Sequence, residues 1–151
     1  MDEFKSVNEI LDFAINAEQD AVEFYSGLAQ TTVNSQMKTV FEGFAQEEMG
    51  HKARLMKIKE TGILETSKAE VMDLKVADYI THVTVSPEMT YAEALVVAMK
   101  KEKAAFKLYM ALSGRVSNSE MKALFLSLAQ EEAKHKLRFE LEYDENVLKE
   151  N

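Results

Sequence analysis

The stretch FAQEEMGH at residues 44–51 returns at residues 128–135 as LAQEEAKH. Each copy holds a glutamate and a histidine three residues apart, a spacing that puts carboxylate and imidazole on one face of a helix. A further glutamate lies 30 positions before each motif glutamate. Carboxylate oxygens and imidazole nitrogens repeated in this way predict a binuclear metal site. The six candidate ligands are Glu18, Glu48, His51, Glu102, Glu132 and His135.

The similarity between the two copies extends well beyond the motif. When residues 6–54 are aligned with residues 90–138, 19 of the 49 positions are identical, and Tyr25 and Tyr109 form one of the matching pairs. This similarity indicates that the chain consists of two duplicated halves. Each half carries one lone glutamate and one Glu-x-x-His motif.

Few helix breakers interrupt either half, because the chain has one proline, Pro87, and five glycines. Ser6 to Glu9 and Thr90 to Glu93 have the pattern of capping boxes, and Gly62 has that of a C-terminal cap. These signals predict helices at about 7–31, 35–60, 91–113 and 119–143. Very short turns within each half make it an antiparallel hairpin. The 62–89 connection is long enough to cross the bundle, and Ser67-Lys68-Ala69-Glu70 suggests another cap there, with Val71, Leu74 and Tyr79 in a short helix packed outside. We therefore predict an all-α four-helix bundle in one domain, residues 1–151.

The candidate ligands lie on the stripes that the bundle helices turn inward. Leu11, Ala14, Glu18, Ala21 and Tyr25 alternate in steps of three and four, and the other helices repeat this pattern. Burying four unpaired carboxylates costs several kcal/mol each, and no lysine or arginine lies on the stripes. Two divalent cations would balance the four charges. Oxygen and imidazole ligands suit iron or manganese better than structural zinc.

Plainer interpretations exist for several of these residues. A single Glu-x-x-His on a helix is usually a solvated pair, and only its duplication favours a metal site. Tyr25 and Tyr109 are either core aromatics or hydrogen-bond donors to the ligand carboxylates. Glu47 and Glu131, which precede the motif glutamates, are predicted to be surface charges.

Composition narrows the function classes. The net charge of −8 argues against nucleic acid or an anionic membrane as a partner. The absence of cysteine excludes disulfides and Cys-ligated metal centres within these 151 residues. The polar start at Met1–Lys5 lacks the features of a signal peptide, so a cytoplasmic location is expected.

With these six residues on four successive helices, the chain resembles the ferritin-like di-iron carboxylate proteins. Their bundles take one glutamate from each of two helices and Glu-x-x-His from the other two. The resemblance is strongest to rubrerythrin and its relatives in residues 24–29 and 44–51, and it covers about residues 6–143.

The resemblance implies a pair of iron ions roughly 3.5–4 Å apart, although manganese or a mixed pair stays open. One iron would take Glu18 and His51, the other would take Glu102 and His135, and Glu48 and Glu132 would bridge them. Such a pair can deliver two electrons to a peroxide. Independently of the resemblance, the position of Tyr25 and Tyr109 two turns beyond Glu18 and Glu102 favours donation to the ligand carboxylates over a plain core role.

Two departures from rubrerythrin matter. This chain lacks the Cys-ligated rubredoxin-type iron, so electrons would have to come from an external donor protein. Ala105 stands where rubrerythrin has an additional glutamate, which makes the site symmetric and closer to that of bacterioferritin. Met49 follows Glu48 where bacterioferritin has its haem-ligating methionine, but packing at a surface or interface explains a single methionine better.

The expected function is therefore that of a di-iron oxidoreductase of rubrerythrin type, reducing hydrogen peroxide or dioxygen. The alternative is a ferroxidase or other iron-handling ferritin-like protein, and a third possibility is a metal-free helical scaffold. The resemblance also implies a homodimer.

Overall fold

The structure, a computed structural model, describes residues 3–81 and 86–148. Four long helices account for most of these residues, and a one-turn helix lies between the two halves. The helices are α1 (Val7–Thr31), α2 (Ser35–Thr61), α3 (Lys68–Val71), α4 (Tyr91–Arg115) and α5 (Ser119–Tyr143). The bounds of the long helices lie within two residues of those predicted, and the all-α four-helix architecture is confirmed.

Each half of the chain forms a tight helical hairpin, in which α1 packs along α2 and α4 packs along α5. Three-residue turns join the helices, and both turns end in an asparagine cap. The side chain of Asn34 accepts a hydrogen bond from the Met37 amide at 3.1 Å, and that of Asn118 accepts one from the Met121 amide at 3.0 Å. The same cap at equivalent positions gives the two hairpins the same entry geometry.

The predicted helix ends are only partly correct. Thr90 and Glu93 form the full reciprocal capping box at the start of α4. At the start of α1, Ser6 accepts from the Glu9 amide, but the Glu9 carboxylate accepts from the Lys5 amide instead of from Ser6. Gly62 ends α2 with a φ of 69°, in the left-handed region that glycine adopts without strain. Beyond α5, a π-helical turn continues through Asp144–Leu148.

In the described residues 62–81, the connection between the hairpins forms a series of short turns. The 3₁₀ turns Ile63–Ser67 and Val76–Asp78 flank α3. Ser67 makes no side-chain cap to α3, so the capping signal predicted there is wrong. Val71, Leu74 and Tyr79 are buried against the bundle, although only Val71 belongs to the short helix.

The core consists of two apolar clusters with the candidate ligands between them. One cluster is centred on Leu11, Leu55, Tyr109 and Phe125. The other contains Tyr25, Phe41, Leu95 and Phe139. A belt of acids and imidazoles therefore crosses the middle of an otherwise apolar interior. No helix in the described ranges combines the length and apolar content needed to cross a membrane.

Candidate metal centre

The structure brings all six predicted ligand side chains together at the middle of the bundle. Each of the four long helices contributes at least one of them, and none is more than 2% exposed. They are Glu18 on α1, Glu48 and His51 on α2, Glu102 on α4, and Glu132 and His135 on α5. This burial places four carboxyl groups and two imidazoles in one low-dielectric region.

The six side chains form two overlapping sets of four. Within each set, one ligand atom from every residue lies within 4.8 Å of the others. The first set is Glu18, Glu48, His51 and Glu132, and the second is Glu48, Glu102, Glu132 and His135. Because Glu48 and Glu132 belong to both sets, the arrangement has room for two cations bridged by two carboxylates.

Both imidazoles present Nδ1 to the carboxylates. Nδ1 of His51 lies 3.1 to 3.2 Å from oxygens of Glu18, Glu48 and Glu132. Nδ1 of His135 lies 3.5 to 3.8 Å from oxygens of Glu48, Glu102 and Glu132. The two rings are nearly parallel, with centroids 6.3 Å apart. The set around His135 is therefore slightly more open.

Two buried tyrosines hold the lone glutamates from the opposite hairpin. The Tyr109 hydroxyl on α4 donates to Glu18 on α1 at 2.7 Å, and the Tyr25 hydroxyl on α1 donates to Glu102 on α4. Burial, followed by the nearby carboxylate charges, raises the pKa of both phenols well above 10. Both tyrosines therefore stay protonated and orient these carboxylates as hydrogen-bond donors.

Crowding of acids changes the protonation of the cluster. Burial and the charge of Glu102 raise the pKa of Glu48 to about 8, and the same causes raise the pKa of Glu132. For His51, burial lowers the pKa, but the carboxylates of Glu18 and Glu48 outweigh it and raise the value to about 10. Without a cation, the cluster therefore keeps protons at neutral pH that metal binding would displace.

Several buried polar atoms have no hydrogen-bond partner in the described part of the chain. All of them belong to residues of the two ligand sets. His51 Nε2 lies beside Glu131, and the other four are Glu48 Oε1, Glu102 Oε2, Glu132 Oε1 and His135 Nδ1. Leaving such an atom unpaired costs about 1–3 kcal/mol, so a well-packed protein rarely collects four in one place. Coordination of two divalent cations would satisfy these atoms, and the oxygen-rich donor set fits iron or manganese.

A cavity of about 290 Å³ opens beside the cluster, between α1 and α4. Its walls include alanines on both helices, among them Ala17, Ala21 and Ala105, and the crossover segment 79–81 also lines it. All four ligand glutamates border this space. The cavity thus gives a small molecule a route to the cluster.

A family model described as the ferritin-like domain matches residues 6–140. The chain belongs to this ferritin-like family. Among solved structures, it is similar to the crystal structure of a "putative ferritin-like diiron-carboxylate protein" from Thermotoga maritima. The two share 24% identity with a TM-score of 0.74, over 94% of this chain and 97% of that one, which supports the common fold alone. No curated protein matches the chain.

Two further acids of this ferritin-like bundle contact the centre, although the sequence predicts only surface charge for them. Glu131 Oε1 lies 3.3 Å from His51 Nε2, and Glu47 Oε2 lies 3.2 Å from His135 Nε2. Each acid reaches across to the histidine of the other hairpin. At His135 this contact is an aligned hydrogen bond, and a carboxylate that accepts the outer N–H sets the tautomer that leaves Nδ1 free for a metal. The signal in the sequence is the doublet Glu-Glu, which is present in both copies of the motif.

Proposed function

We propose that this ferritin-like protein is an oxidoreductase that uses two bound iron ions to reduce hydrogen peroxide or dioxygen. The observation that carries the proposal is the pair of overlapping ligand sets that share Glu48 and Glu132 and border a small cavity. We propose that the electrons come from a separate donor protein, because these 151 residues contain no cysteine for a second iron centre of the rubredoxin type.

The proposed ligand roles follow from the two sets. Glu18 and His51 would hold one metal ion, Glu102 and His135 the other, and Glu48 and Glu132 would bridge both. When bound, two ferrous ions supply one electron each to the O–O bond, and with two protons one peroxide becomes two water molecules. Four carboxylates and two neutral imidazoles balance two divalent cations, which removes the repulsion among the buried acids.

The protein side chains shape the approach to this centre. The cavity of about 290 Å³ is large enough for hydrogen peroxide or dioxygen and lies at the small end of the range of small-molecule sites. Alanines form part of its wall, and Asn16, Asp20, Thr81 and Lys101 add polar groups to it. Tyr25 and Tyr109 keep Glu102 and Glu18 in place while the charge at the centre changes.

Metal analysis combined with anaerobic peroxide titration tests the proposal. We expect two irons per chain and reoxidation of the reduced protein by one equivalent of peroxide. Glu102→Ala should lose metal and this stoichiometry, whereas Lys103→Ala, an exposed neighbour on α4, should keep both. A protein that binds two irons but leaves peroxide and dioxygen unconsumed would refute the proposed reaction.

A second candidate is oxidation of ferrous iron as a substrate. Ala105 lines the cavity where rubrerythrin has another glutamate, and the net charge of −8 attracts cations. Size-exclusion chromatography separates the two candidates. A homodimer, which we propose, favours the peroxidase, and exposed Leu126, Leu137 and Leu141 on α5 offer apolar area for it. A particle of hundreds of kilodaltons favours iron storage.

A further inference from the structure

The two halves of the centre differ on the outer side of their histidines. Glu131, which contacts His51, also lies 3.2 Å from Arg54 Nη1 and accepts from the Ser127 hydroxyl at 3.4 Å. The carboxylate behind His51 is therefore shared among a histidine, a guanidinium and a hydroxyl. Part of its negative charge is neutralised by Arg54.

Glu47, which contacts His135, has none of this support. The counterpart of Ser127 is Gly43, which has no hydroxyl. The counterpart of Arg54 is Arg138, but Arg138 Nη1 lies 3.6 Å from Glu142 on its own helix. Among the described residues no lysine or arginine forms an ion pair with Glu47. Among the ion pairs of the described residues, the Glu47 carboxylate therefore interacts with His135 alone.

The imidazole rings are also held differently. His135 Nε2 and Glu47 form an aligned hydrogen bond, whereas His51 Nε2 has no aligned hydrogen-bond partner in the described chain despite its proximity to Glu131. Phe44 stacks on the His135 ring with centroids 3.9 Å apart. The counterpart of Phe44 in the second hairpin is Leu128, which cannot stack in this way. His135 is therefore the better oriented of the two rings.

We propose that the two metal positions are inequivalent: the His135 position binds a divalent cation more tightly, and Arg54 weakens the His51 position. This inference rests on the proposed two-metal function. A carboxylate that accepts the outer N–H of a ligand histidine makes its other nitrogen a stronger donor. Arg54 reduces that effect at His51 and adds a positive charge on the same side.

Single-position variants test the order of affinity, because repulsion between two cations would separate two binding steps even at identical positions. His51→Ala keeps the His135 position, and His135→Ala keeps the His51 position. In calorimetric titrations of the metal-free proteins with Co²⁺, we expect His51→Ala to bind one ion about tenfold more tightly than His135→Ala, at the low end of effects of outer hydrogen-bond partners. Equal affinities, or the reverse order, would overturn the proposal.

Arg54→Leu tests the cause without removing a ligand. In an otherwise unchanged protein, the weaker of the two Co²⁺ steps should strengthen roughly three- to tenfold, while the stronger step stays the same. The matched control is Arg138→Leu, which removes the equivalent arginine that contacts Glu142 and should change neither step. An unchanged or weakened second step in Arg54→Leu contradicts the assigned role of Arg54. If the unsubstituted protein fails to bind Co²⁺, the proposed metal centre itself is wrong. If it binds two ions but His51→Ala and His135→Ala bind Co²⁺ with equal affinity, only the proposed difference between the two positions is wrong.

Discussion

Replacement of Glu48 by glutamine should stabilise the metal-free protein. The pKa of this carboxyl is raised to about 8 in the fold, chiefly by burial and by the charge of Glu102. Because this pKa lies above the unfolded value of 4.5, the native state binds more protons between the two values. The unfolding free energy therefore falls as pH rises from 4.5 to 8. At about 1.4 kcal/mol per pH unit, keeping Glu48 protonated at pH 7 costs about 3 kcal/mol, and a glutamine amide avoids that cost.

The expected shift in thermal midpoint follows from this figure. For a chain of this length, 1 kcal/mol corresponds to about 2–4 °C, so metal-free Glu48→Gln should melt about 6–12 °C above the unsubstituted protein at pH 7. At pH 5 the two should melt within about 2 °C of each other, because little proton uptake remains. With metal the order should reverse. Each site filled at a hundredfold excess over Kd stabilises by about 2.7 kcal/mol, and the variant lacks a ligand of both sites.

Circular dichroism melts at both pH values, with chelator and with Co²⁺, provide the assay. Glu42→Gln is the matched control, since Glu42 is an exposed acid on the same helix and should melt like the unsubstituted protein in every condition. The reasoning fails if metal-free Glu48→Gln is less stable at pH 7. It also fails if Co²⁺ stabilises the variant as much as the unsubstituted protein.

Three further predictions concern single positions. Tyr109→Phe removes the hydrogen bond to Glu18 and should weaken Co²⁺ binding about tenfold in a calorimetric titration; unchanged affinity would contradict the orienting role. Ala105→Leu narrows the cavity and should lower kcat/KM for peroxide severalfold while the metal content by elemental analysis stays at two; equal kcat/KM would show that the oxidant enters elsewhere. Gly62→Ala forces a side chain into a φ of 69° and should lower the unfolding free energy by about 1 kcal/mol. A denaturant titration measures this loss, and an unchanged midpoint would contradict the prediction.

Most of the architecture is predictable from the sequence because several local signals agree. Three signals indicate the same four helices: the apolar stripes, the asparagine and threonine caps, and the scarcity of glycine and proline. The repeat gives these signals once in each half of the chain. The six candidate ligands could be found because they interrupt those stripes. A buried acid on an apolar stripe is visible in sequence alone.

The contacts behind the histidines could not be predicted. Glu47 and Glu131 lie at the edge of their helical stripes, where rotation of one hairpin against the other decides between solvent and a neighbouring ring. Arg54 and Arg138 occupy equivalent positions of the two repeats, yet Arg54 contacts Glu131 and Arg138 contacts Glu142. The first repeat has no acid at the position equivalent to Glu142. Position 58 holds isoleucine. The spacing of apolar residues describes a single helix, whereas the acid that each arginine or histidine contacts depends on how two helices pack.

The crossed hydrogen bonds of the two tyrosines have a consequence for the ancestry of the chain. Each hairpin alone offers one lone glutamate and one Glu-x-x-His, but the tyrosine that orients its lone glutamate belongs to the other hairpin. A half-length ancestor would have assembled this arrangement only by pairing with a second copy of itself. Duplication and fusion of such a hairpin would join two subunits that already depended on each other, and would leave each half free to differ at positions such as Gly43 and Ser127.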